Sequence, residues 1–375
     1  MRNLSAVRRV VVKIGTNVLT AGGGLDDGYI ETIADQVAEV ASDNRQVLLV
    51  SSGAIGMGAR ELGIEHRVTN ITMRQACAAI GQPLLMNSYR SAFSRRGIEV
   101  AQVLLTREVL DRRTSYVNLR NAVESLLSMG VVPIFNENDS ISTEEIGTAF
   151  GDNDRLSALV ASKVDAELLV MLTDIDALYD RDPRKHPDAQ PIRTVEKLTE
   201  EIEEMAGKPG SPFATGGMRT KLAACSIAGK AGCQVVLAHG REERVLPRVI
   251  SGEELGTLFH AGTRLRNRTR WIMNAEPRGT ITVDAGALDA IRRRNSLLPT
   301  GITGVEGSFE AGEVVAVRCP GCGEVSIKLV TGLNSHNLAE VVGKRSAEVA
   351  ERLGPGSRDI VARPEDIVFI EAGST

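Results

Sequence analysis

Lys13 and Lys221 are the residues whose settings most clearly suit chemistry. Lys13 lies in the run Val10-Val11-Val12-Lys13-Ile14-Gly15-Thr16, and Lys221 ends Thr215-Gly216-Gly217-Met218-Arg219-Thr220-Lys221. The first closes a β-branched run that reads as a buried strand. An unpaired ammonium is costly to desolvate there, so it should meet an anion at the strand end. The second follows a glycine pair at the expected start of a helix, where free backbone N–H groups and the helix dipole favour phosphate oxygens. Either lysine alone could be a solvated turn residue beside glycine. Together they read as a clamp on the phosphates of a nucleotide.

Three further segments add polar groups where a strand ends or a helix begins. Val50-Ser51-Ser52-Gly53-Ala54 offers hydroxyls and free N–H groups at a helix start, a nest for carboxylate or phosphate, or else a capped helix with closely packed glycines. Asn136-Glu137-Asn138-Asp139 carries more polarity than a tight turn needs. It suits a cationic ligand such as an amino acid's ammonium, held by Asp139 with Asn136 as neighbour. The plainer reading is an Asx-rich turn. Gly151-Asp152-Asn153-Asp154 precedes an apolar helix, and one side chain would suffice to cap it. The surplus carboxylate is expected to orient the lysine pair, while Asn153 reaches the substrate. Thr173-Asp174 closes another strand and could frame a nucleotide, although alone it is an ordinary strand-end turn.

Two absences narrow the chemistry. No stretch matches G-x-x-x-x-G-K-[ST], which excludes a P-loop, and the protein-kinase loops are missing. None of the five histidines has metal-ligand spacing, and no protein-built metal site is expected. The reaction must therefore run without a histidine base. A carboxylate nucleophile meets that condition, because a pKa near ~4.3 leaves it ionised at neutral pH. Positioned cations would then do most of the work on a transferring phosphoryl group.

The elements that must hold these residues follow from alternating apolar runs and helical stretches up to about residue 260, the pattern of an α/β domain with a largely parallel sheet. Strands are expected over residues 10–14, 47–50, 100–105, 131–135, 167–172 and 235–237. Ligands of such sheets collect at the strands' carboxyl ends, where the residues above lie. Residues 1–262 form the expected first domain and 263–277 a basic linker or docking helix with four arginines; residues 278–375, glycine-rich with short β-rich stretches, suggest a small barrel. The 375 residues, 42% hydrophobic, suffice for two cores. The absence of a long apolar run and of an apolar leader gives the expectation of a cytoplasmic chain without membrane attachment. Five scattered cysteines are expected as reduced thiols, with Cys319-Pro-Gly-Cys322 a β-turn rather than half a zinc site.

Taken in order, these motifs resemble the glutamate 5-kinases of the amino-acid kinase family, over nearly everything from Arg9 onward. The resemblance implies a three-layer αβα sandwich followed by a PUA-like pseudo-barrel. It implies transfer from ATP, with Mg²⁺, to L-glutamate, giving L-glutamyl 5-phosphate at the start of proline biosynthesis. Lys13, Lys221 and Asp154 would be catalytic. Ser52, Gly53, Asn136, Asp139 and Asn153 would bind glutamate, with Ser51 a rival to Ser52. Lys13, Thr173, Asp174, Thr215, Gly216, Gly217, Met218, Arg219, Thr220 and Lys221 would bind ATP. Feedback inhibition by L-proline near residues 140–150, a homo-oligomer formed through the first domain, and handover to glutamyl-phosphate reductase are further implications.

Other acceptors within the family are aspartate, acetylglutamate or a nucleoside monophosphate. The acidic residues Asp139, Asp152 and Asp154 favour an acceptor bearing an ammonium group over one bearing a phosphate. RNA binding by the second domain is disfavoured by charge, because residues 278–375 carry eleven lysines and arginines against thirteen aspartates and glutamates.

Overall fold

The computed structural model describes the chain except for residues 1, 22–23, 65, 67, 107–108, 111–112, 142–152, 184, 206–216, 323–325, 355–358 and 371–375. It divides into two compact units, Met1–Arg264 and Leu265–Thr375.

All six expected strands form in the first unit, with ends moved by up to two residues: β1 (Arg9–Ile14), β2 (Gln46–Val50), β3 (Val100–Leu105), β4 (Val132–Glu137), β5 (Leu168–Thr173) and β7 (Gln234–His239). Two short strands escape the apolar pattern, β6 (Thr194–Val195) and β8 (Thr257–Phe259). The sheet order is β6-β8-β7-β5-β1-β2-β4-β3. Every pair is parallel except β7 with β8. From β1 the chain moves next to β2 on one side, and from β5 the next strand of the sheet's far half lies on the other. The carboxyl ends of β1 and β5 therefore flank the switch point, where a parallel sheet leaves a crevice.

Alternation along β1 decides which way its lysine points. Val10, Val12 and Ile14 belong to one apolar cluster, with α1 (Asp27–Ser42) and α3 (Ile71–Ser94). Val11 belongs to the opposite cluster, with α4 (Arg113–Ser128), α5 (Asn153–Lys163) and α6 (Gly217–Lys230). Successive side chains of a strand alternate faces, so Lys13 emerges on the side of α5 and α6. Helices on both faces make the sandwich, and full burial of each Val or Leu contributes ~1.5–3 kcal/mol.

Beside the carboxyl ends of the strands, α2 (Ala54–Glu61) and α3 pack backbone to backbone. A Cβ on Gly58 would lie 1.8 Å from the Cys77 carbonyl oxygen, and one on Gly81 1.8 Å from that of Ala54. Only glycine permits this approach.

The second unit starts with α8 (Asn267–Asn274), preceded in the first unit by α7 (Val245–Ile250). Its five-stranded, mostly antiparallel sheet has the order β10 (Ile302–Gly307), β9 (Gly279–Val283), β11 (Val314–Arg318), β12 (Ser326–Val330), β13 (Ile367–Ile370). The stretch expected as a basic linker or docking helix is thus largely a helix of this unit. Trp271 and Ile272 are buried with Val314, Val330 and Val368, and Lys328 donates to the carbonyls of Met273 and Ala275. Its arginines masked an apolar face.

The cysteine expectation needs a correction. Cys77, Cys225 and Cys233 are free and buried, but Cys319 and Cys322 are joined as a disulfide. The turn does form, with the Cys322 N–H donating to the Cys319 carbonyl at 3.3 Å and Gly321 at φ +78°. That turn brings the two sulfurs together. Among the described residues no helix is long and apolar enough to cross a membrane.

Candidate active site

The end of β1 meets the first turn of α5. Lys13 Nζ lies 2.5 Å from Asp154 Oδ1, and Lys221 Nζ, from the second turn of α6, lies 3.2 Å from Asp154 Oδ2. Thr220 Oγ1 donates to the same oxygen at 3.0 Å, and Lys221 Nζ also donates to the Gly217 carbonyl at 3.0 Å. Lys13, Lys221 and Asp154 expose only 6%, 9% and 1% of their surface. Two ammonium groups share one carboxylate, so this buried set retains one surplus positive charge. Such a surplus away from water favours an incoming anion. Burial pushes the Asp154 carboxyl up, but Lys13, Lys221 and the Thr220 hydroxyl outweigh it and hold it below the usual range.

Gly15 keeps the space beside Lys13 open. A Cβ there would lie 3.1 Å from the Leu172 carbonyl oxygen and 3.5 Å from Lys13 Nζ. At the neighbouring end of β5, Thr173 Oγ1 donates to Asp174 Oδ1 at 3.0 Å and Asn17 Nδ2 to Asp174 Oδ2 at 2.7 Å. Burial pushes the Asp174 carboxyl up, yet these two donors, with Lys221 adding a smaller pull, hold it below its ordinary value.

A second cluster adjoins through Asn153, which precedes Asp154 in the chain. Asn153 Nδ2 donates to Ser52 Oγ at 2.8 Å and to Asn136 Oδ1 at 3.0 Å. Asn136 Nδ2 in turn donates to Gln82 Oε1 on α3 at 2.8 Å. This chain of amides and a hydroxyl spans the carboxyl ends of β2 and β4. Ser51 joins it only through its backbone carbonyl, which accepts from Asn153 Nδ2; its fully buried hydroxyl lies 2.9 Å from that of Tyr89. Gly53 adopts φ +97° at the start of α2, a turn that a side chain would strain. Asp139 follows β4 and is half-buried; burial pushes its carboxyl up against the opposing pull of Arg74.

The structure therefore brings Lys13, Asp154, Thr220 and Lys221 together, and separately Ser52, Asn136 and Asn153, with the two groups joined at consecutive residues of α5. Gly217 and Arg219 are exposed, while Met218 packs against the core beneath α6. Thr215, Gly216, Gly151, Asp152 and most of the 140–150 segment lie outside the described residues. Sequence reasoning missed Asn17, Gln82 and Tyr89. The signal for Gln82 was an amide on an otherwise apolar helix face, and for Asn17 its place just after Gly15-Thr16.

Comparisons with known proteins give the chain's family. The amino acid kinase family matches residues 8–239, and the PUA domain matches residues 279–353. A glutamate 5-kinase of Methanosarcina mazei is 46% identical over 374 residues, covering 97% of this chain and 97% of its own. One of Geobacter sulfurreducens is 44% identical over 374 residues, covering 98% and 99%. Among solved structures, a UMP kinase from Bacillus anthracis aligns with TM-score 0.47 at 15% identity, over 69% of this chain and 98% of its own. On the near-complete span and high identity of its curated relatives, the chain belongs to the glutamate 5-kinase family, within the amino acid kinases.

Proposed function

We propose that this chain transfers the γ-phosphoryl group of ATP to the side-chain carboxylate of L-glutamate, giving L-glutamyl 5-phosphate and ADP at the first step of proline biosynthesis. The observation that carries the reading is the convergence of Lys13 and Lys221 on Asp154, one residue from the Asn153–Ser52–Asn136 cluster. A glutamate carboxylate is ionised at neutral pH and needs no base. One of its oxygens forms the new bond to the γ-phosphorus as the bond to the bridging oxygen breaks, and that electron pair leaves with ADP.

Lys13 and Lys221 lie against the non-bridging oxygens of the group in flight, where fixed cations in a water-poor site lower the barrier most. Asp154 keeps the two ammonium groups aimed at one point and offsets their repulsion. Ser52, Gly53, Asn136, Asp139 and Asn153 hold glutamate. Thr173, Asp174 and the segment from Thr215 to Lys221 hold the nucleotide. Mg²⁺ carried with ATP would supply charge neutralisation at the nucleotide's phosphate oxygens. The same reading includes a cytoplasmic enzyme that associates with its own copies, is inhibited by L-proline, and hands a labile acyl phosphate to a reductase.

The test is ATP turnover with hydroxylamine as trap, offering L-glutamate, L-aspartate and N-acetylglutamate, followed by addition of L-proline. The reading expects hydroxamate from glutamate alone. Equal yield from either rival, or none from glutamate, would overturn it.

A further inference from the structure

Arg74 occupies the fourth position of α3, and Gln82 follows eight residues later. That spacing puts both on one face of the helix, about 12 Å apart along its axis. Gln82 hydrogen-bonds Asn136 at the carboxyl end of β4, so this face of α3 overlooks the amide and hydroxyl cluster. Asp139 lies three residues beyond Asn136, near enough for Arg74 to pull on its carboxyl.

Yet among the described residues neither the half-buried guanidinium of Arg74 nor the Asp139 carboxylate makes a side-chain hydrogen bond or an ion pair. Other partly shielded arginines here do have partners: Arg9 pairs with Glu124, and Arg96 with Glu31 and Asp35. Two opposite charges thus lie near enough to feel each other without closing into an ion pair.

We infer that Arg74 binds the α-carboxylate of the amino-acid substrate while Asp139 takes its ammonium, so that this pair recognises a free zwitterionic end and sets specificity. The inference rests on the function proposed above. It accounts for the second carboxylate of glutamate, which the Lys13–Lys221–Asp154 set does not serve. With the zwitterion's two charges on Arg74 and Asp139, the side-chain carboxylate extends toward Asn153 and the lysines. Arginine suits this role because its planar donor fork matches a carboxylate.

The experiment compares L-glutamate with its α-amide, L-isoglutamine, whose side-chain carboxylate is intact, in the hydroxylamine-trapping assay on the full chain. The wild type should prefer glutamate by about 100-fold in kcat/KM, the discrimination available to a charge-assisted contact. In Arg74→Gln the glutamate KM should rise by about 10- to 100-fold, isoglutamine should react about as before, and the preference should fall below about fivefold, with the KM for ATP within about twofold. Arg74→Lys should fall between. A variant that keeps the full preference, or loses both substrates equally, would overturn the inference while leaving the kinase reading intact. A wild type that forms no hydroxamate from glutamate would sink both.

Discussion

Asn153 and Asp154 are consecutive in the chain and serve different halves of the site. The Asn153 amide joins Ser52 and Asn136, whereas the Asp154 carboxylate joins Lys13 and Lys221. On the function proposed above, the first turn of α5 would fix the distance between the groups that hold the acceptor and those that hold the phosphoryl group. Any shift of that turn moves both together. Rigid coupling of this kind keeps two reactants aligned, which is where positioning contributes most to rate.

Asp154→Asn should destabilise the fold as well as slow turnover, because it leaves two buried ammonium groups without their counter-charge, a loss of ~3–5 kcal/mol for broken buried sets. The Asp154 carboxyl titrates below the ordinary 3.8 in the fold. Its contribution is thus complete above about pH 4 and is lost as the pH falls through the lowered folded value. Urea midpoints measured against pH should show the variant weaker at pH 7, with a flatter decline toward acid. Curves that run parallel for both proteins would contradict this.

Asp139→Asn should act in the opposite direction on stability. Burial raises this carboxyl above its ordinary 3.8, so ionising it costs the fold free energy at neutral pH. Any stabilisation it gives is present at low pH and fades as the pH rises through the folded value. The unliganded variant should melt about 1–3 °C higher at pH 7, while the glutamate KM rises by about 10- to 100-fold through loss of the ammonium's partner. A lower melting temperature with an unchanged KM would place the ammonium elsewhere.

Ser51 and Ser52 should separate cleanly. Ser52→Ala removes the hydroxyl that accepts from Asn153 and should raise the glutamate KM by about tenfold with little change in melting. Ser51→Ala strands the buried Tyr89 hydroxyl and should cost ~1–3 kcal/mol of stability instead. Kinetics and thermal melts on the two variants check the division, and reversed effects would refute it.

Much of this site was legible because its residues sit at element ends, where local chemistry is visible in the chain. A lysine closing a β-branched run, an amide and a carboxylate opening an apolar helix, and a threonine-aspartate at a strand end each state their setting. What stayed hidden depended on neighbours far away in sequence. Gln82 is one polar residue in a helix until α3 lies against β4 and its amide meets Asn136. Arg74 looks like any solvated arginine until Asp139 comes near. Helix α8 was legible only as one of two readings, because Arg268 and Arg270 stand directly before the apolar Trp271 and Ile272 that dock it. Cys319 and Cys322 read as a turn, and that turn holds the two bonded sulfurs together.

The account turns on Lys221 acting upon the group in flight. Single-turnover formation of acyl phosphate, measured beside ATP binding, separates that role from simple nucleotide affinity. For Lys221→Ala it predicts a fall of about 100- to 1,000-fold in the chemical step, with ATP dissociation changed by less than about tenfold. A variant whose chemical step keeps its rate once ATP is bound would contradict the convergence of two lysines on one phosphoryl group.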